Sequence, residues 1–178
     1  STRKASSAAS DVYKRQALHF MRLGTFLERA DNTARLLDVK FHAVQSDFMG
    51  AATAQDQDYD FYHWSAILLS VSGFETYRKV YRDVITPERV AELLILRADM
   101  PRSLHACMKE VLGNLDMLGS GQSAETQRHA GRLLAHLKFA RIDEILTHGL
   151  HAYLTQFLER VNDLGARISR DFLVPAAV

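Results

Sequence analysis

The sequence predicts an all-α protein, an antiparallel bundle of about five long helices plus one short helix. Apolar residues recur every three or four positions along most of the chain, which is the period of a helix that buries one face. No segment shows the alternation of apolar and polar residues that is typical of a strand. The 178 residues, 47% of them hydrophobic and 24% charged, suffice for one globular domain.

The first long helix is expected over residues 18–44. One of its faces is apolar, and a neighbouring stripe is polar with i+3 and i+4 spacing. The apolar face comprises Leu23, Ala30, Ala34, Leu37, Phe41 and Val44; the polar stripe comprises Glu28, Asp31, Arg35, Asp38 and His42. A third line on the far side carries Arg22, Arg29 and Lys40. This helix therefore presents chemically distinct surfaces.

The remaining helices follow from the same periodicity. Thr86 and Pro87 are typical of the N-cap and first position of a helix, and they begin the short one. The four other long helices are expected over residues 61–81, 101–118, 123–140 and 142–172. Single glycines inside these patterns are expected to let helices approach closely: Gly24, Gly73, Gly113, Gly131, Gly149 and Gly165.

Residues 1–16 do not share this pattern. They contain neither a cap that connects them to the next helix nor the apolar core of a signal peptide. The segment resembles a translated sequencing adapter, and we predict a non-native or disordered leader followed by a domain over residues 17–178. Without the leader the chain loses four basic residues and one acidic residue, so its small basic surplus disappears. No nucleic-acid partner is expected.

The composition also indicates the cellular compartment of the protein. Cys107 is the only cysteine, so no internal disulfide can form. No apolar run reaches the ~18–20 residues that span a bilayer. We expect a cytoplasmic protein with no membrane partner.

Two interpretations of the polar stripe remain open. In the first, Asp31, Arg35 and Asp38 form an internal ion-pair ladder, because Arg35 lies four residues after Asp31 and three before Asp38. In the second, these residues and Glu28 bind a polar ligand or a partner chain. Glu28 and Arg29 are 100° apart on the helix, so the pair serves two surfaces. That arrangement favours joining helices over catalysis.

A second polar group lies on the predicted last helix. Glu144, His148 and His151 fall within a 60° arc, where they could ligate a transition metal if another helix supplied further ligands. Without a metal they form a polar helix face with one packed histidine. No glycine-rich phosphate motif is present. No cofactor is expected.

Several motifs stand in order along the chain and together resemble the bacterial alpha-E domain, a helical domain named for a Glu-Arg motif. The resemblance covers residues 20–172. The motifs are Arg22-Leu23-Gly24, Leu27-Glu28-Arg29-Ala30-Asp31, the segment from Thr33 to Val39, Ser70-Val71-Ser72 with Tyr77-Arg78, Pro101-Arg102-Ser103, and Gly149-Leu150-His151.

The resemblance implies a role. Family members are usually longer, with a related segment in an earlier half, so the chain is expected to be the C-terminal half and to have the missing N-terminal half as a partner. They are typically encoded beside, or fused to, ATP-grasp and transglutaminase-like proteins. This implies a non-catalytic helical partner or scaffold in a bacterial peptide-ligation or peptide-modification system. The binding residues expected on the motif helix are Glu28, Arg29, Asp31, Arg35 and Asp38, and a secondary polar cluster comprises Arg78, Arg102, His148 and His151.

Two alternatives to this role stay in view. One is an enzyme with a metal or acid/base site formed by Glu28, Asp31, His148 and His151. The other is a ligand-free oligomerising bundle. The residues favour a role other than catalysis.

Overall fold

The computed structural model describes the backbone of residues 2–47, 54–119 and 123–172, and the side chains of residues 13–41, 61–119 and 123–172. This part of the chain contains helices and no strand, which confirms the all-α bundle. There are eight helices in it. They are α1 (Thr2–Asp47), α2 (Ala54–Ser70), α3 (Phe74–Tyr81), α4 (Pro87–Leu96), α5 (Leu104–Leu118), α6 (Ala124–Phe139), α7 (Ile142–His148) and α8 (Leu150–Phe172).

Helix α1 packs against α5 and α8 through the apolar face that the sequence predicts. Leu23, Ala30, Ala34 and Leu37 are buried, while Phe41 is half-buried and packs against the core. The predicted positions of Val44 and His42 lie outside the described side chains. The small side chains in the middle of this face leave room for a close neighbour.

Two hydrogen bonds show that α5 runs antiparallel to α1. Near the beginning of the described side chains, the His19 ring nitrogen Nδ1 lies 2.8 Å from Oδ1 of Asn114. Further along α1, the Thr33 hydroxyl donates to the backbone oxygen of Arg102 at 3.0 Å. Asn114 is near the end of α5 and Arg102 just precedes it, so the two chains run in opposite directions with a defined register.

Helix α4 lies in the interior of the bundle. The Thr86 hydroxyl accepts a hydrogen bond from the Arg89 backbone nitrogen at 3.3 Å, and Pro87 occupies the first turn. Both features of the predicted helix start are confirmed. The side chains that α4 buries are Val90, Ala91, Leu93, Leu94 and Ile95.

The predicted helix over residues 61–81 is two helices, and so is the one over residues 142–172. The first breaks where Ser72 adopts a left-handed backbone with φ 55°, next to Gly73. The second breaks at Gly149, where φ is 106°. Apolar periodicity continues across both breaks, so the sequence pattern alone did not show them. The breaks raise the number of helices but leave the bundle unchanged.

Close helix approach is confirmed for none of the single glycines. Gly73 has a close neighbour, but it lies between α2 and α3, and that neighbour, Met100, lies between α4 and α5. A Cβ on Gly73 would lie 3.0 Å from the Met100 Cε. At the other five predicted positions a Cβ would meet no heavy atom within 4 Å: Gly24, Gly113, Gly131, Gly149 and Gly165. The prediction is wrong for those five, because their Cα atoms face open space.

The structure continues α1 without a break through residues 2–16. Residues 13–18 are all exposed, and His19 is the first described residue of α1 that bonds to another helix. This is the geometry of a helical extension that projects from the bundle. The assignment of residues 1–16 to a non-native or disordered leader stays a prediction.

Deleting residues 1–16 should leave the melting temperature within experimental error, because the described side chains that are lost, those of residues 13–16, are exposed to solvent. The measurement is thermal unfolding followed by circular dichroism at 222 nm. A clear drop in melting temperature would show that the segment belongs to the fold.

Replacing Gly149 by alanine should destabilise the fold by about 1–3 kcal/mol, because a residue with a Cβ is strained at its positive φ. Gly165→Ala is the matched control: this glycine lies within α8 with open space around it, so alanine should stabilise by about 0.5–1 kcal/mol. Urea unfolding of both variants measures the difference. Equal effects of the two substitutions would contradict the role of Gly149 as a helix break.

Candidate functional site

The polar stripe of α1 lies on the surface. Arg35 contacts Asp31 through two hydrogen bonds, from Nε to Oδ2 at 2.7 Å and from Nη2 to Oδ1 at 3.1 Å. The Arg35 side chain is 58% exposed and that of Asp31 is 25% exposed. The hydrogen bonds to Asp31 raise the pKa of the Arg35 guanidinium. The pair is a surface ion pair of the i,i+4 type.

Asp38 does not extend this pair into a ladder. Its Oδ1 lies 2.7 Å from Nδ1 of His151 on α8. Asp38 is 21% exposed, and no bond to Arg35 is formed. The prediction of an internal ladder through Asp31, Arg35 and Asp38 is therefore wrong. The physical reason is that the stripe lies beside the buried face of α1 and not on it, so that α8 reaches only Asp38.

Glu28 and Arg29 point in different directions, as their 100° separation requires. Glu28 is exposed and makes no hydrogen bond or ion pair with any residue in the described part of the chain. Arg29 is half-buried, with its guanidinium carbon 5.2 Å from the centre of the Phe26 ring. The carboxylate is thus presented to solvent while the guanidinium is held against the protein.

The predicted secondary polar cluster is not one site. Arg102 lies beside α1, where its backbone oxygen binds Thr33. Arg78 is on α3, where it lines a cavity of about 440 Å³ together with Arg82 and Asp83. His148 and His151 are separated by the break at Gly149, so they no longer share the arc that a continuous helix would give them. His151 contacts Asp38, and His148 faces the other flank of α8.

His148 lines an open groove of about 460 Å³ between the end of α6, α7 and the first turns of α8. Its Nδ1 lies 2.7 Å from the Glu144 backbone oxygen. The His136 and Tyr153 rings stack at 5.9 Å with an interplanar angle of 17°. The lining residues are His136, Phe139, Ala140, Arg141, Glu144, Ile145, His148, Gly149, Ala152, Tyr153 and Gln156.

The Tyr153 hydroxyl is buried beside this groove and has no hydrogen-bond partner among the described residues. Burial raises its pKa to about 12, against a smaller opposing effect of Arg160. The hydroxyl is therefore protonated at neutral pH and does not serve as a base. Periodicity did not identify this groove, because it forms only where three helix ends meet.

The predicted metal or acid/base site is not assembled. In the part of the chain that the structure describes, no three histidine, cysteine, aspartate or glutamate side chains are placed to hold a metal ion. Glu28 has no partner there, Asp31 binds Arg35, and the two histidines are divided by Gly149. The four residues do not converge on one point.

Cys107 is buried, and burial raises the pKa of its thiol to about 11 despite the nearby Arg29 and Arg102. The thiolate is the reactive form of cysteine, so a protonated, buried thiol is inert. Cys107 belongs to the core of α5.

Comparison with known proteins identifies the family. Residues 5–173 match a family model named Alpha-E and described as a predicted alpha-helical domain with a conserved ER motif. The chain belongs to the Alpha-E family. No curated protein and no solved structure matches it. In the described residues of this Alpha-E domain, no helix has the length and apolar character needed to cross a membrane.

The Glu-Arg dipeptide occurs three times in this Alpha-E domain, and the structure gives all three the same arrangement. Each glutamate is exposed and each arginine is half-buried. Two of the arginines also lie over an aromatic ring, Arg29 over Phe26 and Arg89 over Tyr81. The pairs are Glu28-Arg29, Glu88-Arg89 and Glu159-Arg160.

Arg35→Ala should change the free energy of unfolding too little to distinguish from wild type, because the ion pair that it removes is exposed to solvent. Thr33→Val is the contrasting variant on the same helix, and it should cost about 1 kcal/mol or more because it leaves the Arg102 backbone oxygen without its donor. Urea unfolding compares the two. A large loss of stability in Arg35→Ala would support the internal ion-pair ladder instead.

Proposed function

We propose that this Alpha-E domain is a non-catalytic helical partner or scaffold in a bacterial peptide-ligation or peptide-modification system. Its partners in this proposal are an ATP-grasp or transglutaminase-like protein and the N-terminal half of the same protein. The binding surface is the polar stripe of α1, and the protein acts in the cytoplasm. The observation that carries the proposal is the exposed Glu28 carboxylate, which is part of a patterned stripe and has no partner in the described chain.

The surroundings of Glu28 support a protein partner. Met21 and Val39 lie on the same side of α1, one on either side of Glu28 along the helix, and are 70% and 64% exposed. Exposed apolar side chains beside charged groups are the composition expected where a partner is to be bound. Gly24, between Met21 and Glu28, has no heavy atom within 4 Å of where a Cβ would be. A partner helix could therefore approach the α1 backbone closely at that point.

The charges of the polar stripe are suited to selecting a specific protein partner. Glu28 provides an unpaired negative charge, and the bidentate Asp31–Arg35 pair next to it is held in a fixed geometry. Charges at the rim of an interface mainly select the correct partner and orient it. This is the role expected of a scaffold, and it requires no reacting group.

The enzyme alternative has less support because Glu28, Asp31, His148 and His151 do not converge. The oligomerising alternative uses the same exposed stripe with a second copy of the chain as the occupant. The two differ measurably, because the chain alone would form a dimer in the oligomerising alternative, whereas the proposal requires a different protein as the partner.

Reversing the charge of Glu28 tests the proposal. The chain is co-expressed with the neighbouring ATP-grasp or transglutaminase-like protein, and Glu28→Lys should lower the amount that co-purifies by about tenfold or more, because a rim charge then repels its complement. Glu159→Lys is the matched control, since Glu159 is also exposed and also precedes an arginine. This control should bind as wild type does.

Two outcomes would reject the proposal. One is that the wild-type chain captures neither neighbouring protein. The other is that Glu28→Lys binds as wild type does while its circular dichroism spectrum is unchanged. Light scattering of the chain alone separates the oligomer: a dimer that Glu28→Lys dissociates, with no capture of a neighbour, would support the ligand-free bundle instead.

A further inference from the structure

Several arginines of the described surface form no ion pair with a carboxylate, and three of them are neighbours. Arg22, Arg29 and Arg102 form no ion pair with any described residue. The arginines that do pair are Arg35, Arg89, Arg97, Arg128, Arg141, Arg167 and Arg170. Among the unpaired arginines, these three share one region, the junction of α1 and α5.

The register of α1 and α5 brings these three arginines together. The Thr33 hydroxyl holds the Arg102 backbone at 3.0 Å, and Arg29 lies one helical turn before Thr33 on the same flank of α1. Both Arg29 and Arg102 are close enough to the Cys107 thiol to lower its pKa, against the larger effect of burial. Arg22 lies two turns before Arg29 on the same line, about 10 Å away along the helix axis.

Arg29 is held in place before any ligand arrives. Its guanidinium rests over the Phe26 ring at 5.2 Å, and the side chain is half-buried. A guanidinium whose orientation is fixed loses less conformational freedom when its planar fork binds a carboxylate. Arg22 and Arg102 are exposed, so all three can contact a molecule that lies along the junction of α1 and α5.

We propose that Arg22, Arg29 and Arg102 form a basic ridge that binds an extended acidic segment of a partner protein. In a polyproline II segment, which has three residues per turn, carboxylates three residues apart lie on one face and are about 9 Å apart, close to the ~10 Å between Arg22 and Arg29 along α1. This inference deepens the proposed function and rests on its premise of a protein partner, although it uses the opposite flank of α1 from Glu28.

Two features of the surface favour a short acidic peptide over a larger polyanion. The ridge has only three cations, and Glu110 on α5 lies level with α1 residues between Arg22 and Arg29 in the antiparallel register. The opposite flank of α1 carries Glu28 and Asp31, which repel an extended negative surface. A narrow segment that follows the ridge avoids these carboxylates.

The ridge is tested with a fluorescein-labelled peptide that has two glutamates three residues apart, and with the same peptide carrying glutamines. Fluorescence anisotropy at low salt should detect binding of the glutamate peptide only, and the affinity should fall as salt rises. Arg29→Gln and Arg102→Gln should each weaken binding about fivefold, whereas Glu110→Gln should strengthen it about two- to fivefold. Arg132→Gln, an exposed and unpaired arginine of α6, should have no effect.

Arg29→Lys separates geometry from charge. It keeps the positive charge but loses the planar fork, so its affinity should lie between those of wild type and Arg29→Gln. Thermal unfolding of each variant checks that the fold is retained. If Arg29→Gln is unstable, Arg102→Gln and Glu110→Gln, whose side chains are exposed, test the ridge without it.

Three results would overturn the inference. The first is that the glutamate peptide does not bind at low salt. The second is that Arg29→Gln and Arg102→Gln bind the peptide as tightly as wild type does. The third is that inorganic phosphate displaces the labelled peptide at concentrations similar to those of unlabelled peptide, which would indicate a simple anion site. Glu28→Gln should keep peptide binding. A chain that binds the peptide but does not capture its neighbour protein therefore counts against the proposed function alone. A chain that captures the neighbour protein but does not bind the peptide counts against the ridge alone.

Discussion

The antiparallel contact between α1 and α5 is the constraint on which the rest of the structure depends. Ala30 and Ala34 in the middle of the buried face are fully inaccessible, so the two helices can approach closely there. The bond from Thr33 to the Arg102 backbone fixes the register at one end, and the His19–Asn114 bond fixes it at the other. A buried polar group that loses its partner costs free energy, so these bonds oppose both rotation and sliding.

This register determines which charged side chains lie on the protein surface and on which flank of α1. With Ala30 and Ala34 facing inward, Glu28 and Arg35 must lie on one exposed flank of α1, and Arg29 must lie on the other flank beside α5. A Glu-Arg dipeptide at the edge of a buried helix face therefore separates its charges by geometry alone. The three such pairs of this chain follow the same rule, with the glutamate exposed and the arginine half-buried. The motif thus gives one helix an acidic flank and a basic flank.

The helix breaks have a comparable influence on the far side of the bundle. Gly149 ends α7 and lets α8 begin in a new direction, so His148 faces the groove while His151 reaches Asp38 on α1. A continuous helix would have placed both imidazoles on one face, as a metal site requires. The break instead creates a concave surface lined by the ends of three helices, and it connects α8 to α1 through an exposed imidazole–carboxylate contact.

The sequence by itself determined the fold class, the buried face of α1, the start of the short helix at Thr86, the family and the different directions of Glu28 and Arg29. These follow from local periodicity, capping chemistry and the 100° rotation per residue, none of which needs a neighbouring helix. Tertiary structure alone decided that Asp38 binds His151 and not Arg35, and that Arg29 and Arg102 come together. It also decided that Ser72 and Gly149 interrupt helices whose apolar pattern continues. Each of these depends on which side chains from distant parts of the chain meet, and helix packing supplies that information while spacing along one helix does not.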